Sequence, residues 1–422
     1  MINSWKLRSQ AQLVIEEIPY VKSVAIGVFI KVGSRHETPE IAGGSHFIEH
    51  MLFKGTEQRN AREIAESFES IGGQLNAYTS KEYTCVYART LDENISTASE
   101  IIFDMLFNSV FEPKEFSTEK EVVVEEINMY EDTPDDLIHD VFAQKMWANH
   151  SMGLPILGTL DSVANFSRDN IVDFYHRCYT PSNMVIAIAG NVEAEKMKEK
   201  IEAILDKAPF QQVLLPSSPP QQYNRFTSLV EKDTEQVQIC WGVPGLNYHD
   251  HKRYTLNIMN SILGGGFSSR LFQSLREELG LAYSIYSGSS TYSDTGACSI
   301  YIGTGPGKIE RCQEALYEQI IKFVQEGVTD IEVQRTQQMV KSSMYMGMES
   351  VMNRMSRLGK SILMYDRVIP LEEVMENVMQ VNHHEVNQLA AEILARKKFS
   401  MAAIGTKEVL SLVENEYSKH WL

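Results

Sequence analysis

Gly43-Gly44-Ser45-His46-Phe47-Ile48-Glu49-His50-Met51-Leu52-Phe53 is the stretch that decides how this chain is read. Gly43-Gly44-Ser45 reads as a loop ending in a cap-type residue, and Lys54-Gly55-Thr56 reads as a stop. The segment between them is expected to be a short helix. On a helix His46 and His50 stand one turn apart, and Glu49 shares their face. Two neutral imidazoles aimed at one point can bind a divalent metal, zinc above all. A neighbouring carboxylate that is not itself a ligand can take a proton from water activated by that metal. His46 and His50 are therefore candidate ligands and Glu49 a candidate general base. The order His-x-x-Glu-His inverts the commoner His-Glu-x-x-His. The competing reading is a surface helix with unrelated histidines.

Two imidazoles leave a tetrahedral zinc short of a third protein ligand. The best candidates lie in Glu119-Lys-Glu-Val-Val-Val-Glu-Glu-Ile127, downstream of the helix-start signals Pro113 and Ser117. Glu119 and Glu126 are 126 − 119 = 7 residues apart, two helical turns, with Val122 and Val123 between them on the same face. Carboxylates on an apolar stripe are costly to bury unless paired or metal-bound. Glu126 is accordingly assigned as the third ligand and Glu119 as a group that orients a ligand. Glu125 points away and reads as solvated. The competing reading makes all these glutamates a solvated helix face.

At this point the chain resembles the M16 metallopeptidases, the family of mitochondrial processing peptidase, pitrilysin and insulin-degrading enzyme. That family places a ligand glutamate about eighty residues after its first histidine and an auxiliary glutamate seven residues before that ligand. Here 126 − 46 = 80 and 126 − 119 = 7. Gly72-Gly73-Gln-Leu-Asn-Ala77 resembles the family's substrate-side strand, which implies substrate contacts along Leu75, Asn76, Ala77, Tyr78 and Thr79. Gly158-Thr159 and Gly190-Asn191-Val192 also fall where the family's first domain has similar residues. In Arg276-Glu-Glu-Leu-Gly-Leu-Ala-Tyr283 the spacing of seven resembles the family's arginine–tyrosine pair. The resemblance covers essentially the whole chain and is strongest toward the small bacterial processing proteases.

Length and composition agree with this. A chain of 422 residues, 43% of them hydrophobic, can build two domains with cores of their own. Met1 to Gln12 is polar and does not read as a signal peptide. No stretch approaches the roughly eighteen apolar residues of a membrane span. The five cysteines are scattered, with no Cys-x-x-Cys pair, so reduced thiols and a cytoplasmic location are expected. A net charge of −17 argues against nucleic acid as a partner, because phosphate binding needs a basic face. It reads more simply as a solubilising surface than as a device for attracting basic peptides.

An internal repeat sets the domain organisation. Residues 209–224 carry four prolines and little periodicity, and read as an extended linker. On either side the order of elements matches. A strand near 24–32 is echoed near 237–243, strands over 75–89 by 282–303, and the buried run 184–189 by 399–404. The expectation is an α+β fold. It comprises two homologous domains, 1–208 and 225–422, each a mostly antiparallel sheet with helices packed on it. In the second domain the counterpart of the motif helix, near 256–261, has neither histidine nor glutamate. The methionines of 344–355 read as core. Gly264-Gly265-Gly266 reads as a turn rather than a phosphate cradle, since no lysine follows.

The function expected is a zinc-dependent endopeptidase that cuts unfolded peptides in a closed chamber. One Zn2+ per chain would be held by His46, His50 and Glu126, with Glu49 as base. The resemblance implies that Arg276 and Tyr283 stabilise the oxyanion and that the substrate adds to the 75–79 strand. It also implies a homodimer, by analogy with longer relatives that hold four such domains. The alternative is a non-catalytic scaffold subunit of the same family, which would be expected to show a degraded motif.

Overall fold

The computed structural model describes residues 1–208, 219–220, 223–394 and 399–421. Residues 209–218 and 221–222, most of the segment read as a linker, lie outside the described residues. By contact the chain forms two units. The first comprises Met1–Met129, Leu154–Ser218 and Met344–Val368, and the second Tyr130–Gly153, Pro219–Ser343 and Ile369–Leu422.

The first unit is built on β1 (Ile2–Lys6), β2 (Gln12–Glu17), β3 (Ser23–Ile30), β4 (Gln74–Thr79), β5 (Thr84–Leu91) and β6 (Met184–Gly190). They form one sheet in the order β1-β2-β6-β3-β5-β4. Only β2 and β6 run parallel; the other pairs are antiparallel. β4 is an edge strand, bonded along one side to β5 with Ala77 opposite Val86 and Thr79 opposite Thr84. Strand β3, Ser-Val-Ala-Ile-Gly-Val-Phe-Ile, is buried from its second residue onward. That follows from its composition: with apolar residues at both parities, both faces of the pleat need cover.

On one face Val24, Ile26, Val28 and Ile30 meet Phe47, Ile48, Met51 and Leu52 of the motif helix and the helices beyond it. On the other, Ala25, Phe29 and Val185 meet Val351, Met355, Leu358 and Ile362 of helix Val351–Tyr365. This helix approaches the sheet closely. A Cβ built on Gly27 would stand 2.3 Å from Met355 Sδ, and one on Gly359 would stand 2.0 Å from Phe29 Cε2. Of the methionines expected in the core, Met355 is 2% exposed but Met346 is 63% exposed, so the run is only partly buried.

The second unit repeats the plan. β7 (Thr227–Glu231), β8 (Val237–Pro244), β9 (Ala282–Thr291), β10 (Gly296–Thr304) and β11 (Ser400–Gly405) form the order β7-β11-β8-β10-β9. β7 and β11 are the parallel pair, as β2 and β6 are in the first sheet. One face carries the larger core, with Ile239, Trp241 and Val243 packed against Leu256, Met259 and Leu263 of helix Arg253–Gly264. The other carries Ile138, Phe142 and Met146 of helix Pro134–Met146, packed on Cys240, Ala402 and Ile404. Each sheet thus has its second face covered by a helix from the other half of the sequence. The fold is α+β, two mostly antiparallel sheets with helices packed on them. All five cysteines are buried and free. Among the described residues no helix is long and apolar enough to cross a membrane.

Candidate metal centre

The motif helix runs Gly44–Leu52. Ser45 lies inside it rather than capping it. The preceding residue, Gly43, has φ 92°, and a Cβ there would lie 2.5 Å from Leu157 O, so glycine is required for both reasons. The free N–H groups at the helix start are met by the buried Glu37, whose carboxylate accepts from Gly43 N and Ser45 N, each at 2.7 Å. Desolvation raises the pKa of Glu37 despite these donors.

The glutamate helix runs Pro113–Glu131, with proline at its first turn as the sequence suggested. Glu119 is 3% exposed and Val123 is fully buried. Val122, expected on the same face, is 46% exposed and turns outward. Glu125 is exposed, as read.

The two helices bring three ligand-type atoms, one each from His46, His50 and Glu126, within 4.8 Å of one another. Glu126 Oε2 lies 3.7 Å from His46 Nε2 and 3.5 Å from His50 Nε2. These atoms converge but stand too far apart for good mutual hydrogen bonds. Among the described residues the buried His46 Nδ1 has no hydrogen-bond partner. A two-imidazole, one-carboxylate set with this convergence fits zinc, which would leave a fourth position open. His46 is neutral across the ordinary pH range. Burial, reinforced by the neighbouring His50, lowers its pKa to about 3. Burial also opposes charge on His50, but the carboxylates of Glu119, Glu126 and Glu49 outweigh it and raise the pKa.

Glu119 Oε1 accepts from His50 Nδ1 at 2.8 Å, which turns the Nε2 edge of the ring toward Glu126. Its other oxygen pairs with Lys54 Nζ at 2.6 Å. Burial alone would raise the Glu119 pKa; these two partners overcome it and hold the carboxyl below its ordinary value.

Glu49 is held differently from its neighbours. Its Oε2 accepts from Thr79 Oγ1 on β4 at 2.5 Å. Desolvation raises its pKa, partly offset by Thr79 and His50. A carboxylate with a raised pKa is a better proton acceptor than an ordinary one. Thr79 was read from the sequence as a substrate contact, and its bond to Glu49 was not foreseen. The roles of Glu37 and Lys54 were also missed. The sequence offers no spacing signal for them, since each acts through a tertiary contact.

Along β4, Ala77 and Leu75 pack on the motif-helix side, while Tyr78 packs on the side of helix Val351–Tyr365. Gln74 and Asn76 are exposed. Arg276 and Tyr283 belong to the second unit. Arg276 sits in a π-helical turn, Phe272–Glu278, with its guanidinium 5.5 Å from the Tyr283 ring centroid. The Tyr283 side is open, at 74% exposure. The structure therefore brings the arginine and tyrosine together, and separately brings together His46, His50, Glu126, Glu119 and Glu49.

Comparison with known proteins gives a consistent result. Residues 12–160 match the model "Insulinase (Peptidase family M16)", and residues 165–340 match "Peptidase M16 inactive domain". The chain is 42% identical over 404 residues to the uncharacterized zinc protease YmxG of Bacillus subtilis, covering 96% of this chain and 98% of that protein. It is 36% identical to the uncharacterized zinc protease SCO5738 of Streptomyces coelicolor, covering 93% and 87%. A protease from Helicobacter pylori shares the fold at TM-score 0.91 and 20% identity, covering 96% of this chain and 99% of that one. A peptidase M16 inactive domain from Pseudomonas fluorescens does so at TM-score 0.89 and 18% identity, covering 96% and 98%. With 36–42% identity to zinc proteases over nearly the whole chain, both domain models matched in order, and the converging histidine–glutamate cluster, the chain belongs to peptidase family M16.

Proposed function

We propose that the protein is a zinc-dependent endopeptidase acting on extended, unfolded peptides, and that Glu49 is its general base. The observation that carries this reading is the division of labour among four acidic and imidazole groups. His46, His50 and Glu126 converge on one point, while Glu49 is drawn aside by Thr79. When bound there, one zinc ion per chain would supply Lewis acidity, making a water molecule a better acid and a carbonyl a better electrophile.

The remaining chemistry belongs to the chain. Glu49, its pKa raised by burial, accepts a proton from the attacking water and returns it to the leaving amine. Glu119 fixes the His50 ring and its tautomer through Nδ1. β4, an edge strand with one side unpaired in the sheet, offers main-chain groups to an extended peptide, so the substrate is bound by backbone bonds more than by side-chain identity. Arg276 and Tyr283 supply positive charge and a hydroxyl to the developing oxyanion. An enclosed reaction chamber, a cytoplasmic setting and a homodimeric state complete the proposal; the last is read directly by native mass spectrometry, where a monomer would refute it.

Glu49→Gln keeps the shape of the side chain and removes its basicity. The expected result is loss of cleavage of a quenched-fluorescence peptide with close to one zinc per chain retained. Loss of zinc together with activity would make Glu49 a ligand and overturn the assignment. A fully active variant would refute its role as base, and a zinc-loaded wild type that cuts no peptide in a broad library would favour the scaffold.

A further inference from the structure

We infer that Lys360 is a specificity determinant, the cation of a subsite that selects an acidic side chain in the bound peptide. The inference rests on the proposed strand addition to β4 and goes beyond it, because backbone pairing alone has no charge preference. Lys360 lies on helix Val351–Tyr365, in the same unit as β4. Its ammonium is 5.8 Å from the Tyr78 ring centroid and 5.9 Å from that of Tyr83. Tyr78 in turn packs edge-on against Tyr83 and Tyr87, at 5.9 and 6.0 Å. Besides these rings the Lys360 ammonium interacts with the buried Cys85 thiol, and among the described residues it forms no ion pair with a carboxylate. The residue is half-buried. A partly desolvated ammonium over aromatic faces, without a counter-ion, is an incomplete arrangement that an anion would complete.

The position of this cation follows from the pleat. β4 presents Ala77 to the core on the motif-helix side, where its next-but-one neighbour Thr79 holds Glu49, and Tyr78 to the opposite side. A peptide paired along the free edge of β4 alternates in the same way. Its side chains on one parity face the motif helix, and those on the other stand beside Tyr78. Directly opposed side chains on paired strands have Cβ atoms about 5 Å apart. A Glu or Asp in that register stands beside the Tyr78 ring, on the side away from β5, and the long Lys360 side chain, free of any ion pair, can extend across that ring to meet it. Because Tyr78 is adjacent to Thr79 and faces the other way, the acidic residue belongs one position from the one that passes Glu49.

The test walks a single Glu, or a matching Gln, through each position of an otherwise neutral peptide. Both kcat/KM and binding, by fluorescence anisotropy, are measured for each Glu/Gln pair. The wild type should favour Glu by roughly three- to fivefold at one position, as expected of a partly exposed ion pair, and not at the immediate neighbours, which face the other side. Lys360→Met should bring that ratio to one, Lys360→Arg should keep it, and Lys360→Glu should invert it in favour of a Lys-containing peptide. A ratio unchanged in Lys360→Met, or no Glu preference at any position in the wild type, overturns the inference. If no peptide is cut, the peptidase reading fails, and the binding ratios alone decide for or against Lys360.

Discussion

Removing Glu119 asks how far a metal centre depends on a carboxylate that holds a ligand rather than the metal. Glu119 is 3% exposed, with Oε1 on His50 Nδ1 at 2.8 Å and Oε2 on Lys54 Nζ at 2.6 Å. A charge-assisted hydrogen bond contributes roughly 1.5–3 kcal/mol net. In Glu119→Ala the Lys54 side chain, 31% exposed, can turn to water, so most of the loss falls on His50. That ring loses both its orientation and the negative partner that makes Nε2 more basic. If about 2 kcal/mol of the lost interaction is specific to the ligand-competent ring, the zinc dissociation constant rises about thirtyfold, inside the ten- to hundredfold range typical of such partners. Glu119→Gln keeps an acceptor for Nδ1 but loses the charge, and should fall between Glu119→Ala and the wild type. The assay is competition for zinc against a chromophoric chelator at fixed pH and salt. Thermal unfolding of the metal-stripped proteins shows that the fold is intact. A Glu119→Ala affinity within twofold of the wild type, with the fold intact, would refute the argument that this bond organises the site.

Two further predictions concern the scaffold. Gly359→Ala would place a methyl group 2.0 Å from Cε2 and 2.5 Å from Cδ2 of the fully buried Phe29. The overpacking cost of about 1–3 kcal/mol exceeds or cancels the gain of up to about 1 kcal/mol from replacing a helical glycine, so a lower urea midpoint is expected, and a raised one would refute the close approach. In the second unit Glu332 accepts from Arg270 Nε at 2.7 Å and Nη2 at 2.9 Å, and from Thr329 N at 2.8 Å. Burial pushes the Glu332 pKa up, but these donors outweigh it and hold it at about 2. A depressed carboxyl pKa stabilises the fold fully above the ordinary value and ceases to do so as pH falls through the folded-state value. Glu332→Gln should therefore lower the urea midpoint at pH 7, by an amount that shrinks from about pH 4 toward pH 2; a pH-independent difference would assign the effect to packing alone.

The two halves of the candidate metal cluster were legible because the information in each is local. His46, Glu49 and His50 share one helical turn, and Glu119 and Glu126 share another helix at two-turn spacing, so periodicity alone puts each set on one face. What periodicity could not supply were the contacts between elements. Thr79 reaches Glu49 from a strand 30 residues on, and Glu37 reaches back over the helix start from a loop. Ser45 illustrates the limit. As a cap-type residue beside two glycines it looked like the helix cap, yet a buried carboxylate from outside the helix took that role, and the left-handed Gly43 set the boundary instead. Val122 was misplaced for a related reason. It is adjacent to Val123 but about 100° around the helix from it, so one valine is buried and the other exposed.

The α+β plan was legible as a repeated order of elements, and its logic extends one step further than the repeat itself. β3 and β6 are apolar at both parities, and β6 is buried at every residue. Such strands cannot face water on either side, so the sequence required a second layer on the first sheet. It did not say where the layer came from. Helix Val351–Tyr365 shows an apolar stripe at Val351, Met355, Leu358 and Ile362, which states that one face is buried but not against what. The answer lies in two glycines. Gly27 faces Met355 and Gly359 faces Phe29, each leaving room for the large side chain opposite. The same device recurs on the second sheet, where a Cβ on Gly242 would stand 2.4 Å from Phe142 Cζ of helix Pro134–Met146. Small-against-large complementarity of this kind sets which helix seats on which sheet and in what register, because a shift by one residue would bring two large side chains into the space of one. The helix that it seats on the first sheet also carries Lys360, so the packing that closes the core is what holds that ammonium beside Tyr78 on the edge strand.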